Sequence, residues 1–265
     1  MHSYVTSADG TRIAYERHGD GRPLVIVGGL LCDRTTFQPL AEQLASRLAA
    51  VVYDRRGRGD SGDTAPYAVQ REVEDLAAVI GAVGGEASVY GHSSGAGLAL
   101  EAAAAGVPIT RLVLHEPPYG ADDEESMREA RELAETVDAA IAEDRRADAI
   151  RAFLTASGMP AEMAEGAAHD PRMLALAPTM PYEFAVMGDH HGGTIPTERV
   201  RALRMPTLVI LGGASPDFFR GTAERIVELL PDGRLTVLDG QDHGAPADVV
   251  APVVADFVGS SAVTA

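Results

Sequence analysis

Gly91-His92-Ser93-Ser94-Gly95 sets one serine at the centre of a G-x-S-x-G pentapeptide, between a short apolar run and an alanine-rich stretch at 94–105. A strand that reverses into a helix within a few residues holds its central residue in a strained backbone conformation and exposes its side chain. Gly91 and Gly95, two positions to either side, leave room for that turn. The Ser93 hydroxyl is then a candidate nucleophile, and the Ser94 amide, first in the new helix, points where an oxyanion would form. The bare pentapeptide also occurs in ordinary glycine-rich turns, so its meaning depends on the elements around it.

Two other groups of residues have chemistry to offer. Asp189-His190-His191 carries metal-ligand types, but three adjacent ligands on one loop cannot all converge, and no histidine or carboxylate pair recurs at a metal spacing. Neither a metal nor a cofactor is expected. Cys32 has no neighbouring base that would make it a nucleophile.

The elements that must position Ser93 follow a simple rhythm. Through residue 118, short apolar runs alternate with amphipathic or alanine-rich segments, which is the pattern of a largely parallel sheet flanked by helices. Strands are predicted at 3–7, 12–18, 23–28, 50–54, 87–91 and 111–116, and helices at 36–48, 68–83 and 94–105. Asp9-Gly10 marks a hairpin, so the sheet begins antiparallel. After Pro117-Pro118 the chain becomes charged and rich in alanine and glutamate, which predicts two or three surface helices to about 168. Prolines and the Gly192-Gly193 pair break 170–196 into short helix and loop. The strand and helix rhythm resumes with strands at 207–211 and 234–238 and helices at 217–230 and 246–258. Residues 1–118 and 201–265 therefore form one α/β core, and 119–200 a helical cap over the strand ends.

With 46% hydrophobic and 23% charged residues, the 265-residue chain has the composition of a globular enzyme. The 22 basic and 39 acidic residues leave 22 − 39 = −17, which repels phosphate backbones and anionic membranes, so no nucleic-acid or membrane partner is expected. A single cysteine can form no internal disulfide, and the first residues lack the basic start and apolar stretch of a secretion signal. A cytoplasmic monomer or homodimer acting on a small-molecule substrate is the expectation.

Four further segments carry a resemblance to the α/β-hydrolase superfamily over nearly the whole chain. Asp54-Arg55-Arg56-Gly57-Arg58-Gly59-Asp60-Ser61 matches that family's D-x-R-G-x-G-x-S loop. Val27-Gly28-Gly29-Leu30 follows an early strand where the family usually has His-Gly-x, and Gly240-Gln241-Asp242-His243-Gly244 follows the last strand. The resemblance implies an eight-stranded, mainly parallel sheet with an inserted cap. It implies His243 as catalytic base, and the amides of Leu30 and Ser94 as the oxyanion hole, with Gly28 departing from the usual histidine.

The acid is displaced. Gly212-Gly213-Ala214-Ser215-Pro216-Asp217 has serine where the family usually has aspartate. Some members take their acid from the strand after the elbow helix, and Glu116, 116 − 93 = 23 residues beyond Ser93, stands at the end of that strand before two prolines. Glu116 is the preferred acid, with Asp217 as the alternative and helix capping as its simpler role. Gly29, Phe37, Tyr119, Tyr182, Phe184 and Met187 are candidate substrate contacts, although aromatic and methionine residues in a cap also serve as its core. The implied activity is serine hydrolysis of an ester, thioester or lactone of a small to medium, mainly apolar molecule. The same layout can also serve an acyltransferase, a perhydrolase, a biosynthetic cyclase or lyase, or a ligand-binding protein.

Overall fold

The computed structural model describes residues 2–260. Eight strands form one sheet: β1 (Ser3–Thr6), β2 (Arg12–His18), β3 (Arg22–Val27), β4 (Leu48–Tyr53), β5 (Ala87–His92), β6 (Ile109–His115), β7 (Thr207–Gly212) and β8 (Gly233–Leu238). Their spatial order is β1-β2-β4-β3-β5-β6-β7-β8. β1 and β2 pair antiparallel, as the Asp9-Gly10 turn predicts, β2 meets β4 antiparallel, and every later pairing is parallel.

The central strands read as unbroken apolar runs because both of their faces are covered. Alternate side chains of β3 show the division: Val25 and Val27 enter one core, Leu24 and Ile26 the other. On the first face lie α2 (Val69–Ala82), α3 (Ser94–Ala104) and α10 (Asp217–Leu229), which contribute Leu76, Leu98 and Ile226. On the second lie α1 (Gln38–Leu44) and α11 (Ala247–Gly259), with Leu44 and Val254. Each such residue, fully buried, contributes about 1.5–3 kcal/mol of transfer free energy.

The helix predicted at 36–48 is shorter than its pattern suggests. A 3-10 turn over Arg34–Phe37 precedes α1, and the chain turns at Arg47, whose N–H donates to Leu44 O at 2.9 Å. β4 then begins at Leu48, not residue 50, because Leu48 and Ala49 pair with Arg22 and Pro23 of β3. Burial in the sheet overrides alanine's helical preference there.

Between β6 and β7 the chain forms α4 (Glu124–Ala142), α5 (Arg146–Ala156), α6 (Ala161–Ala168), α7 (Pro171–Leu176), α8 (Met180–Met187) and α9 (Thr197–Ala202). Asp123 caps α4 by accepting the Ser126 N–H at 2.9 Å. Pro171 and Pro181 lie in the first turns of α7 and α8, where a missing N–H costs nothing. α4 to α8 share an apolar cluster including Val137, Ile150, Met180 and Phe184, against which Leu30 and Leu31 of the core pack, while Val200 of α9 joins the first core of the sheet. The loop after β3 is thereby wedged between the sheet and the helical insertion.

Candidate active site

Ser93 joins β5 to α3 with φ 55° and ψ −130°, a conformation that residues with a Cβ rarely adopt. The flanking glycines make it possible. A Cβ on Gly91 would lie 2.5 Å from the Gly95 carbonyl oxygen, and one on Gly95 would collide with the carbonyls of Val27 and Gly28. The Ser93 N–H donates to His115 O at 2.9 Å, which locks the elbow onto β6.

The segment after β3 rests on this elbow. A Cβ on Gly29 would lie 2.9 Å from both Ser93 Cβ and His92 O, so the backbone can approach this closely only as glycine. Gly29–Cys32 forms a turn closed by Cys32 N–H donating to Gly29 O at 3.3 Å, with Leu31 at φ 56°. Among the described residues, neither the Leu30 N–H nor the Ser94 N–H donates to a protein acceptor. Two amides of the segments that meet at the elbow are thus without a protein acceptor. The space expected for a histidine at Gly28 is filled: a Cβ there would lie 3.0 Å from Phe37 and 3.2 Å from Cys32.

His243 lies on the loop between β8 and α11, and its Nδ1 is 2.6 Å from Oε2 of Glu116. The buried Glu116 has φ 47°, and its other oxygen, Oε1, accepts the Gly212 N–H at 2.7 Å. Burial raises the Glu116 pKa, but the His243 hydrogen bond, the nearby Ser215 hydroxyl and the Gly212 amide outweigh it and hold the carboxyl below its ordinary value. Ser215, at the position where the resemblance implies an aspartate, thus lies near the Glu116 carboxylate. Asp217 is exposed at the first turn of α10 and makes no hydrogen bond to His243 among the described residues.

His92 and Phe219 complete the setting of His243. The Nε2–H of His92 donates to the His243 backbone carbonyl at 2.9 Å, tying that loop to the residue before Ser93. Burial, and then the neighbouring His243, push the His92 pKa down to about 4, so its ring is neutral near pH 7. Phe219 stacks on the His243 ring with centroids 5.0 Å apart and planes 19° from parallel. The buried His115 bonds Tyr90 Oη through Nδ1 at 2.6 Å and sets its ring edge-on to His92, with centroids 5.0 Å apart.

The chain thus carries a serine on a strained elbow and an imidazole bonded to a buried carboxylate, and the alpha/beta hydrolase family model matches residues 24–256. The chain belongs to the alpha/beta hydrolase family. It is similar to an alpha/beta hydrolase structure from Sphaerobacter thermophilus, with 48% identity, a TM-score of 0.87, and coverage of 96% of this chain and 99% of that one. An esterase structure from a Rhodococcus species is 26% identical with a TM-score of 0.73, covering 98% of each chain. Among curated sequences, an N-formylmaleamate deformylase from Pseudomonas putida is 38% identical over 117 residues, which is 42% of this chain and 44% of that protein. A putative carbamate hydrolase from Azorhizobium caulinodans is 37% identical over 93 residues, 34% and 35% of the two lengths. The matches span less than half the length of these two curated relatives.

Within this hydrolase fold the expected substrate contacts are dispersed. Phe37 lies under the elbow, its ring centroid 5.6 Å from that of His92. Tyr119 and Met187 are buried in the sheet's first core, and Phe184 in the cluster of the insertion. Tyr182 stacks on Tyr67 at 3.7 Å and donates its hydroxyl to Asp63 at 2.6 Å. Of the expected residues, Gly29 meets Ser93 and Ser94, His243 meets Glu116, and His92 ties the His243 loop to the elbow. Among the described residues, no group of three or more histidine, cysteine or carboxylate side chains could hold a metal ion, and no helix is long and apolar enough to cross a membrane.

A buried network that the motifs did not reveal lies behind the Gly28–Cys32 loop. Arg55 bonds Glu72 through Nε and Nη2 at 2.6 and 2.7 Å and Glu183 at 2.8 Å; Arg58 pairs with the other oxygen of Glu183. Burial raises the Glu183 pKa, but Arg55 and Arg58 outweigh it and keep the carboxyl below its ordinary value. The available signal was Glu183 itself, the one charged residue in the apolar run Met180-Pro181-Tyr182-Glu183-Phe184-Ala185-Val186-Met187. Phe219 left no such signal.

Proposed function

We propose that this protein is a serine hydrolase that cleaves an ester, thioester or lactone of a small to medium, mainly apolar substrate through an acyl-enzyme. Ser93 attacks the carbonyl carbon while His243 Nε2 takes the hydroxyl proton. The Glu116 carboxylate on Nδ1 fixes the tautomer and offsets the positive charge of the imidazolium. The carbonyl oxygen, now an alkoxide, accepts hydrogen bonds from the Leu30 and Ser94 amides, where one such donor is worth about 3 kcal/mol. Collapse of the tetrahedral intermediate expels the alcohol or thiol, which receives the proton from His243. Water repeats the sequence on the acyl-enzyme, with His243 again as base, and frees the acid and Ser93.

The observation that carries this reading is the 2.6 Å His243–Glu116 hydrogen bond beside an elbow serine faced by two unbonded amides. The helical insertion at 119–200 acts as the cap that encloses the acyl group. The test is turnover of p-nitrophenyl esters together with labelling by a fluorophosphonate: wild type is active and labelled at Ser93, and Ser93→Ala is neither. A wild type that is inert to both overturns the reading.

The names of the two curated relatives, a deformylase and a carbamate hydrolase, favour a second reading in which the leaving atom is nitrogen. The steps are unchanged except that His243 protonates an amine. Comparison of kcat/KM for matched ester, carbamate and formamide substrates separates the two.

A further inference from the structure

We propose that Arg58 is the positioning residue that aims the Leu30 N–H at the reacting carbonyl oxygen, and that Glu183 and Thr179 of the helical insertion hold Arg58 to that task. The proposal rests on the reading of Ser93 as a nucleophile served by an oxyanion hole.

A peptide group is planar and trans, so its C=O and N–H point in opposite directions. Whatever fixes the Gly29 carbonyl therefore fixes the direction of the Leu30 N–H. Arg58 Nη1 donates to Gly29 O at 2.7 Å and to Cys32 O at 3.2 Å, spanning the turn from its first residue to its last. Arg55 Nη1 adds a bond to Gly28 O at 3.2 Å. The turn needs an outside hold because Leu31, at φ 56°, occupies a conformation that favours glycine. The usual histidine support is missing at Gly28, and Phe37 and Cys32 fill its space.

The guanidinium of Arg58 is held on its far side by the insertion. Its Nε donates to Thr179 Oγ1 at 3.1 Å, Nη2 pairs with Glu183, and both Arg58 and Glu183 are buried. Arg55 and Arg58 face Glu72 and Glu183, so the network is neutral. Packed apolar residues often replace such a buried ion network without loss of stability, so holding the fold together does not by itself account for it. The two carbonyls on which Arg58 ends do account for it. Arg58 also stands at a variable position of the D-x-R-G-x-G-x-S loop, so the motif by itself does not require this support.

The test uses the full-length protein and compares wild type with Arg58→Met, Arg58→Lys and Glu183→Gln, each checked by circular dichroism. Three quantities are read: kcat and KM for a p-nitrophenyl ester, and affinity for a trifluoromethyl ketone, whose hemiketal oxygen occupies the oxyanion position. Arg58→Met is expected to lower kcat and ketone affinity in parallel, about 10- to 100-fold, with KM within about threefold. Arg58→Lys, which can still reach one carbonyl, is expected to recover part of the loss. If Arg58→Met does not fold, Thr179→Val, which removes the Nε bond together with the Oγ1 bond to Leu176 O but leaves Arg58 and Glu183 in place, gives the same split in smaller measure. Folded variants with wild-type kcat and ketone affinity, or with a loss confined to KM, overturn the positioning role. Ser93→Ala is measured alongside: if it keeps wild-type turnover, the nucleophile reading fails and the positioning role falls with it.

Discussion

Nδ1 of His243 lies 2.6 Å from Oε2 of Glu116, across 127 residues of sequence, while Oε1 of the same carboxylate takes the Gly212 amide at 2.7 Å. Both oxygens are thus committed in a buried site, and the backbone at Glu116 is held at φ 47° to present them. Residues at such dihedral angles persist only where surrounding structure compensates, and they cluster at functional sites. In the proposed mechanism the acid stands just past the end of β6, and Ser215 is a neighbour of its carboxylate.

Glu116→Gln should therefore lower kcat by about 10³- to 10⁴-fold, because an amide can neither stabilise the imidazolium nor hold the required tautomer. Asp217→Asn should leave kcat within about twofold, since Asp217 is exposed at a helix start. Steady-state kinetics of both variants on one ester decide the assignment. Equal losses, or a larger one at Asp217, would return the acid to its conventional position.

Much of this arrangement was legible because its signals are local. Ser93 is read from five residues, and Glu116 from an acid that ends an apolar strand before two prolines. The strands β3 to β7 follow from apolar runs that the sheet buries on both faces. The Arg58–Glu183 pair was not legible, because its partners lie 125 residues apart and meet only when the insertion seats on the core. The length of α1 was misread for a related reason: Leu48 and Ala49 look helical alone, and only pairing with β3 makes them strand. The substrate contacts were hardest, since an aromatic in the insertion serves a pocket or a core with the same composition, as Phe184 and Tyr119 illustrate.

The close seating of Gly29 on the elbow predicts the effect of one methyl group. In Gly29→Ala the new Cβ would lie 2.9 Å from Ser93 Cβ and His92 O and 3.2 Å from Ser94 Oγ. The loop must withdraw, taking the Leu30 amide with it. A fall in kcat of about 10- to 100-fold is expected, with a small change in KM and in Tm. Retention of wild-type kcat would mean that the Leu30 amide does not serve the reaction.

His92 gives the fold a pH dependence whose sign can be worked out. Its pKa falls from an ordinary 6.5 to about 4 in the folded state, chiefly through burial. Between those values the unfolded chain binds the proton and the folded protein does not, so stability present above pH 6.5 is lost as pH falls toward 4. The slope from this one group is about 1.4 kcal/mol per pH unit. Urea denaturation at pH 7.5, 6.0 and 5.0 should show that slope in wild type and its reduction in His92→Asn. Parallel curves for the two proteins would contradict it.

Two glycines of the elbow helix should respond oppositely to the same substitution. A Cβ on Gly95 meets the backbone carbonyls of Val27 and Gly28, which are fixed in the sheet and the loop after β3. Gly95→Ala must separate α3 from β3, and a loss of at least about 2–3 kcal/mol is expected, comparable with an overpacked core. A Cβ on Gly97 meets first the sulfur of Met187, at the flexible end of a side chain, while Tyr119 and Val186 are at ordinary contact distance, 3.5 Å. Alanine there also gains up to about 1 kcal/mol of helix propensity, so Gly97→Ala should be within about 1 kcal/mol of wild type. Thermal and chemical denaturation of the pair provide the measurement. Equal destabilisation would show that α3 is held against the sheet as a rigid whole, not by the single close approach at Gly95.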